Sequence, residues 1–293
     1  MKRKLFSGVA TALITPFSDG KIDFVSFEKL ISRQLDAGIE ALVFTGTTGE
    51  APTLTDDEKK EIYRFAVDIV GSRALVICGT STNSHKKTME ISEYAREAGA
   101  DALLCVSPYY NKGTKKGIEL VYRDICSLGM PVILYNIPSR SGVDIGVDML
   151  QRLSDEKNLA GVKECAGVQR MQEEKIRFGD RYALYSGNDA DLLSALSVGA
   201  DGIVSVISNL YPNAVNKIYT LFEEGKTREA REVHFSLSAL CSLLFKETNP
   251  APVKYAASTL GLCKNSLRLP LSEIDGELCR KIDKEIKKME QNI

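Results

Sequence analysis

Ala37-Gly38-Ile39-Glu40-Ala41-Leu42, Ala98-Gly99-Ala100-Asp101-Ala102-Leu103 and Val198-Gly199-Ala200-Asp201-Gly202-Ile203 repeat one pattern along the chain. Each sets a glycine where a helix stops, because glycine accepts the left-handed conformation that ends a helix, and an apolar strand follows. Outward from these junctions, β-rich runs alternate with helical ones. The strand candidates are Val9–Thr15, Ala41–Thr45, Ala74–Gly79, Ala102–Ser107, Val132–Asn136, Ala160–Lys163, Tyr182–Ser186 and Gly202–Val206. Between them, Phe27, Leu30, Ile31 and Leu35, then Ile62, Phe65, Ala66, Ile69 and Val70, then Ile91, Tyr94, Ala95 and Ala98 recur at helical spacing. Thr55-Asp56-Asp57-Glu58 has the form of a capping box, and Asn83 is the expected N-cap of the third helix.

Strand, helix, strand with short connections enforces parallel pairing through right-handed crossovers, and eight such units are what an α/β fold of the (β/α)8 TIM-barrel type requires. An open doubly wound sheet would usually carry a phosphate-binding glycine fingerprint after its first strand, and Ala12-Leu13-Ile14-Thr15-Pro16 is not one. After about residue 224 the strand signal ends. Arg228–Phe245, Val253–Leu260 and Ser272–Met289 read as helices separated by Asn249-Pro250-Ala251-Pro252 and Gly261. The expected division is a barrel over residues 1–224 that carries the active site and a C-terminal helical extension over 225–293. No Gly/Ser/Pro-rich linker separates them, so the extension should pack on the barrel.

Composition narrows the function. The 293 residues are 44% hydrophobic and 26% charged, with 38 Lys+Arg against 39 Asp+Glu. That balance excludes disordered and collagen-like chains, and charges spread evenly along the chain disfavour binding to nucleic acid or a membrane surface. Seven cysteines, an odd number without a Cys-x-x-Cys pair, read as reduced thiols in a cytoplasmic protein. His85 and His234 are the only histidines, too few and too far apart to build a zinc site, so no metal is expected. Lys2-Arg3-Lys4 followed by Leu5–Val9 is too short for a signal-peptide core, and no apolar run is long enough to span a membrane.

In such a barrel the chemistry lies at the C-terminal ends of the strands. There the sequence places Gly46-Thr47-Thr48-Gly49-Glu50, Ser107-Pro108-Tyr109-Tyr110-Asn111, Tyr135-Asn136 with Pro138-Ser139-Arg140, and Lys163-Glu164. Lys163 lies among Leu159, Ala160, Gly161, Val162, Cys165 and Ala166, where partial desolvation would free its lone pair for attack on a carbonyl. By the strand period of two, Gly161 points the same way and is expected to leave an empty volume for a small substrate. A strand-end lysine extending into solvent is the competing reading. Tyr135 and Tyr110 are either acid/base groups or packing residues. Thr47 and Thr48 either present hydroxyls and N–H groups to a carboxylate or simply form a turn. Arg140 suits bidentate carboxylate capture, or a plain surface position. No Gly-x-x-x-x-Gly-Lys-Ser/Thr occurs, and Val206-Ile207-Ser208-Asn209 lacks a phosphate-holding glycine turn, so an unphosphorylated oxo acid fits better than a sugar phosphate. No Asp/Glu/His cluster suggests a metal-assisted enolate, and no cofactor is expected.

Taken together, Gly46-Thr47-Thr48-Gly49-Glu50, Pro108-Tyr109-Tyr110-Asn111, Leu134-Tyr135-Asn136-Ile137-Pro138-Ser139-Arg140, Val162-Lys163-Glu164, Ser186-Gly187-Asn188-Asp189 and Asn249-Pro250-Ala251-Pro252-Val253-Lys254 resemble the dihydrodipicolinate (4-hydroxy-tetrahydrodipicolinate) synthase family of the lysine-dependent pyruvate aldolases, over nearly the whole chain. The resemblance implies that Lys163 forms a Schiff base with pyruvate, whose enamine attacks L-aspartate 4-semialdehyde, in lysine and diaminopimelate biosynthesis. It assigns Tyr135 as proton donor and acceptor, relayed through Thr47 and Tyr110. Thr48 and the Val204 backbone would lie near the pyruvate carboxylate, Arg140 would hold the second substrate's carboxylate, and Gly187 would be a further substrate-binding residue. It also implies a homo-oligomer, most often a tetramer of two dimers, with Tyr110 reaching into a neighbouring subunit's site. N-acetylneuraminate lyases share the lysine and Tyr135 but typically carry serine at the Thr47 position and lack an arginine at Arg140, so they stand second, with 2-oxo-3-deoxy acid aldolases. A barrel that binds an oxo acid without turnover is a third reading. Family members inhibited by lysine place a carboxylate where this chain has Lys87, which implies weak or absent feedback inhibition.

Overall fold

The computed structural model describes residues 4–291. Lys2 and Arg3, part of the signal-peptide reading, lie outside the described residues. Eight parallel strands close into a barrel: β1 Gly8–Ala12, β2 Ala41–Phe44, β3 Leu75–Gly79, β4 Ala102–Val106, β5 Val132–Asn136, β6 Leu159–Glu164, β7 Ala183–Ser186 and β8 Gly202–Ser205. Each pairs with its sequence neighbours, and β8 returns to β1. All eight expected strands are present. The first ends earlier than its sequence suggests, because beyond Ala12 the chain leaves the ladder and Ile14 N donates instead to the Asn209 side chain at 3.0 Å. A two-residue hairpin, Phe17–Ser18 with Lys21–Ile22, was not foreseen, since strands that short carry no periodicity.

The helices are α1 Phe24–Asp36, α2 Asp56–Val70, α3 His85–Glu97, α4 Lys115–Cys126, α5 Pro138–Ser141, α6 Gly146–Arg152, α7 Val168–Phe178, α8 Leu192–Ser197, α9 Pro212–Glu223, α10 Thr227–Leu243, α11 Ala251–Thr259 and α12 Gly276–Gln291. No helix among the described residues is long and apolar enough to cross a membrane. The capping box of α2 is complete: Thr55 Oγ1 accepts from Glu58 N at 3.2 Å, and Glu58 Oε2 accepts from Thr55 N at 2.9 Å. At α3 the expectation fails, for the N-cap is Ser84 and not Asn83. Thr82 shapes that entry by accepting from Ser84 N at 3.0 Å, and the Asn83 carbonyl accepts from Asn111 Nδ2 at 3.0 Å.

The repeated hexapeptides do two jobs. Gly38, Gly99 and Gly199 have φ of 70°, 93° and 93° and turn each helix into its strand. The acid two residues on then pins the start of a neighbouring strand, as Asp101 accepts from Val76 N and Asp201 from Leu184 N, both at 2.8 Å. Apolar residues fill two regions, a layer between strands and helices and a narrower column inside the barrel. Phe6 closes the lower end of that column, stacked on Tyr185 at 4.1 Å between ring centroids.

Candidate active site

Register fixes the centre of the site. Tyr135 on β5, Lys163 on β6 and Tyr185 on β7 are direct neighbours across the ladders. Neighbouring residues in a parallel ladder face the same side, here the barrel interior. Lys163 is 5% exposed, and its Nζ lies 4.1 Å from the centroid of the Tyr135 ring. Burial pushes the amine below the ordinary lysine range; Cys165 and Asp189 oppose the shift and Arg140 adds to it. The nitrogen is therefore turned inward, not into bulk water. Burial likewise raises the Tyr135 phenol well above its usual value, opposed by Arg140 and a hydrogen bond with Thr47.

Gly161 does not leave the empty volume expected. A Cβ there would meet the Ala183 carbonyl oxygen and Tyr185 Cε2, each at 3.0 Å, so the space beneath Lys163 is filled by the Tyr185 ring from the next strand. Gly187 supplies the room instead: a Cβ at that position would collide with Cys165 Sγ and sit 2.9 Å from Lys163 Cε. Its place in the site follows from the space it leaves around the lysine stem.

The Gly46–Glu50 loop is thrown across the mouth by a strained residue. Thr45 has φ of 51°, a conformation β-branched residues rarely adopt and one that costs of order 1–3 kcal/mol. Thr45 Oγ1 donates to the Gly79 carbonyl at 2.8 Å, and Tyr63 OH reaches the same oxygen at 2.9 Å. Gly79 is required, because a Cβ there would stand 2.5 Å from the Thr45 carbonyl oxygen. Beyond this turn a cavity of about 60 Å³ opens between Gly46, Thr47, Ser81, Tyr109 and Tyr135. Tyr135 forms one of its walls, while Lys163 is not part of the lining.

Thr48 is buried, and its Oγ1 accepts from Asn249 Nδ2 at 3.0 Å. Arg140 is exposed and donates through Nη2 to the Asn249 carbonyl at 3.3 Å. Asn249, on the C-terminal extension, thus links the two residues assigned to carboxylate binding. Val204 on β8 belongs to the same interior cluster as Tyr135. Tyr110 stands apart: at φ 71° and 88% exposed it leaves its own chain's cavity, which Tyr109 lines.

Sequence reasoning gave no role to Asp189 or Asn249, although both lie inside motifs it quoted. Asp189 accepts from Ser205 Oγ at 2.6 Å, Val206 N at 2.9 Å and Ile207 N at 3.0 Å. Burial raises the Asp189 carboxyl and these three donors pull it back down, and its negative charge opposes the lowering at Lys163.

Fold and site define a class, the (β/α)8-barrel enzymes with a desolvated amine at the end of the sixth strand. The chain belongs to the dihydrodipicolinate synthetase family, whose model matches residues 5–289. The 4-hydroxy-tetrahydrodipicolinate synthase of Kosmotoga olearia is 43% identical over 274 residues, covering 92% of this chain and 93% of that protein. The crystal structure of dihydrodipicolinate synthase from Aquifex aeolicus superposes with a TM-score of 0.94 at 39% identity, covering 97% of this chain and 98% of that one. A structure described as the first monomeric dihydrodipicolinate synthase variant matches with a TM-score of 0.94 at 35% identity, covering 97% of each chain.

Proposed function

We propose that this enzyme condenses pyruvate with L-aspartate 4-semialdehyde to give 4-hydroxy-tetrahydrodipicolinate, the activity its relatives' names carry. The observation that carries the reading is the buried Lys163 amine lying over the Tyr135 ring at the barrel mouth. A neutral Nζ attacks the ketone carbon of pyruvate and water leaves, forming the imine. Loss of a methyl proton gives the enamine, whose carbon bonds to the aldehyde carbon of the second substrate while the aldehyde oxygen takes a proton. The substrate amine then attacks the imine carbon and Lys163 leaves as the free amine. Tyr135, with its high phenol pKa, gives and takes these protons, with Thr47 as its hydrogen-bond partner.

Thr48 and the Val204 backbone lie near the pyruvate carboxylate, Arg140 meets the carboxylate of the second substrate, and Gly187 is a further substrate-binding residue. Tyr110, exposed on its own chain, completes the relay in a neighbouring subunit of a homotetramer. Residues 1–224 carry this chemistry, and 225–293 brace it from outside, in the cytoplasm. Borohydride reduction in the presence of pyruvate tests the reading. A pyruvate-derived mass on the peptide containing Lys163 is expected, together with turnover of aspartate semialdehyde. Labelling elsewhere, or none, overturns it, and labelling without turnover points to a different second substrate.

A further inference from the structure

Behind the strand ends, between β6 and α7, two carboxyls are buried together: Glu164 and Glu174 are each 1% exposed. Asn136 Nδ2 donates to Glu164 Oε1 at 3.0 Å and Oε2 at 2.9 Å, and Ala166 N donates to Oε1 at 2.6 Å. Asn136 carries the hold onward, its Oδ1 accepting from Ile145 N at 3.0 Å and its Nδ2 reaching Asp144 Oδ1 at 3.0 Å. Arg170 grips Asp144 through both Nη atoms at 2.9 and 3.0 Å. Glu164, the residue after Lys163, is therefore tied to Asn136, the residue after Tyr135.

Burial raises the Glu164 carboxyl, but the Asn136 and Ala166 N–H donors pull against that shift and favour its carboxylate form. Glu174 lies close enough to act on it electrostatically, and neither Glu174 oxygen has a hydrogen-bond partner among the described residues. Two buried carboxyls in contact share one proton, and here only Glu174 is free to hold it.

We propose that Glu174 is a positioning residue for the Lys163 chemistry: its carboxyl proton, donated to Glu164, completes a clamp that holds the Tyr135 and Lys163 ends of β5 and β6 together. This deepens the imine reading of Lys163 and rests on it. Burial, with the Glu164 charge beside it, pushes the Glu174 carboxyl up to about 9, against the pull of Arg170 and with a smaller push from Asp144. Arg170 acts on both carboxyls, and the Tyr182 phenol, just before β7, is electrostatically coupled to both. The folded chain keeps a proton that the unfolded chain releases in the ordinary carboxyl range, so the stability this proton adds is full below that range and is lost as pH rises to about 9, while in the folded chain the clamp itself persists until pH approaches about 9.

Glu174→Gln keeps a donor toward Glu164 and cannot titrate, whereas Glu174→Leu keeps volume without a donor. The full-length proteins are compared by borohydride trapping with pyruvate and by steady-state condensation from pH 7 to 10. Expected at pH 8 are a Glu174→Gln kcat within about twofold of wild type and a Glu174→Leu kcat about tenfold lower with KM for pyruvate little changed. Between pH 8 and 10 the wild-type kcat falls while that of Glu174→Gln stays about threefold flatter. Equal kcat in the two variants, or an unchanged alkaline limb in Glu174→Gln, overturns the proposal while trapping still supports Lys163. Absence of trapping in the wild type overturns both. If Glu174→Leu does not fold by circular dichroism, the comparison of Glu174→Gln with wild type decides alone.

Discussion

Lys163 at the barrel mouth and Lys254 in the C-terminal extension are both buried, 5% and 0% exposed, and they sit in opposite settings. Lys254 Nζ pairs with Glu50 Oε1 at 2.5 Å, donates to the Ser266 carbonyl at 2.7 Å and lies 4.0 Å from the Phe17 ring centroid. Its charge is met from several sides, and it fastens α11 to the loop that carries Thr47 and Thr48. Lys163 has an aromatic ring but no carboxylate at ion-pair distance among the described residues; Asp189 acts on it only from farther off. Burial lowers both amines below the ordinary lysine range, but at Lys254 the Glu50 carboxylate pulls against that shift and the paired amine holds structure. One left unpaired is driven toward its neutral, nucleophilic form. Burial is common to both, and the partner decides which becomes which.

The contrast breaks most sharply at Lys163 itself. Lys163→Met is expected to reduce condensation to background and abolish trapping while the melting temperature holds or rises, since a desolvated amine is replaced by an apolar chain. Its folded pKa is depressed, so the folded chain binds fewer protons there than the unfolded chain. Wild-type stability should therefore rise with pH toward the ordinary lysine range, and Lys163→Met should remove that rise. A variant that unfolds would show that the amine stabilises the barrel.

Glu50→Gln reverses the pattern. It leaves the Lys254 charge buried without its carboxylate and should cost about 3–5 kcal/mol in urea unfolding, with trapping at Lys163 retained in the folded fraction. A loss under about 1 kcal/mol would make the pair dispensable. Asp189→Asn sharpens the comparison by making Lys163 still lonelier. Removing that negative charge should shift the rise of trapping rate with pH to lower pH by about one unit or less, and a shift upward would contradict the assigned electrostatics. The smallest effect concerns a third, exposed amine. Lys87 lies 3.9 Å from Asp56, so a cation already faces that carboxylate. Millimolar lysine should change the initial rate by less than about twofold, and halving it would refute the Lys87 argument.

The barrel was legible because buried parallel strands read as apolar runs and the repeated Ala-Gly-type junctions mark three of the passages from helix to strand. That Lys163 and Tyr135 would lie side by side was legible because both fall at strand ends, where this fold concentrates chemistry. Gly161 was misread because what fills the space before it comes from β7, which a strand's own periodicity does not describe. Asn83 was misread because Thr82, one residue away, competes for the same turn. The Glu164–Glu174 contact was invisible for a related reason: a carboxyl on a strand and one on the following helix become partners only when the helix packs.

Local sequence determined the alternation of strands and helices, the helix stops at Gly38, Gly99 and Gly199, and the chemical types gathered at one rim, because backbone preference and hydrophobic periodicity act over a few residues. Only the closed barrel decided which lysine is paired, which glycine makes room and which carboxyl keeps its proton. Those outcomes depend on desolvation and on charges brought close from distant parts of the chain, and neither exists before the chain has folded.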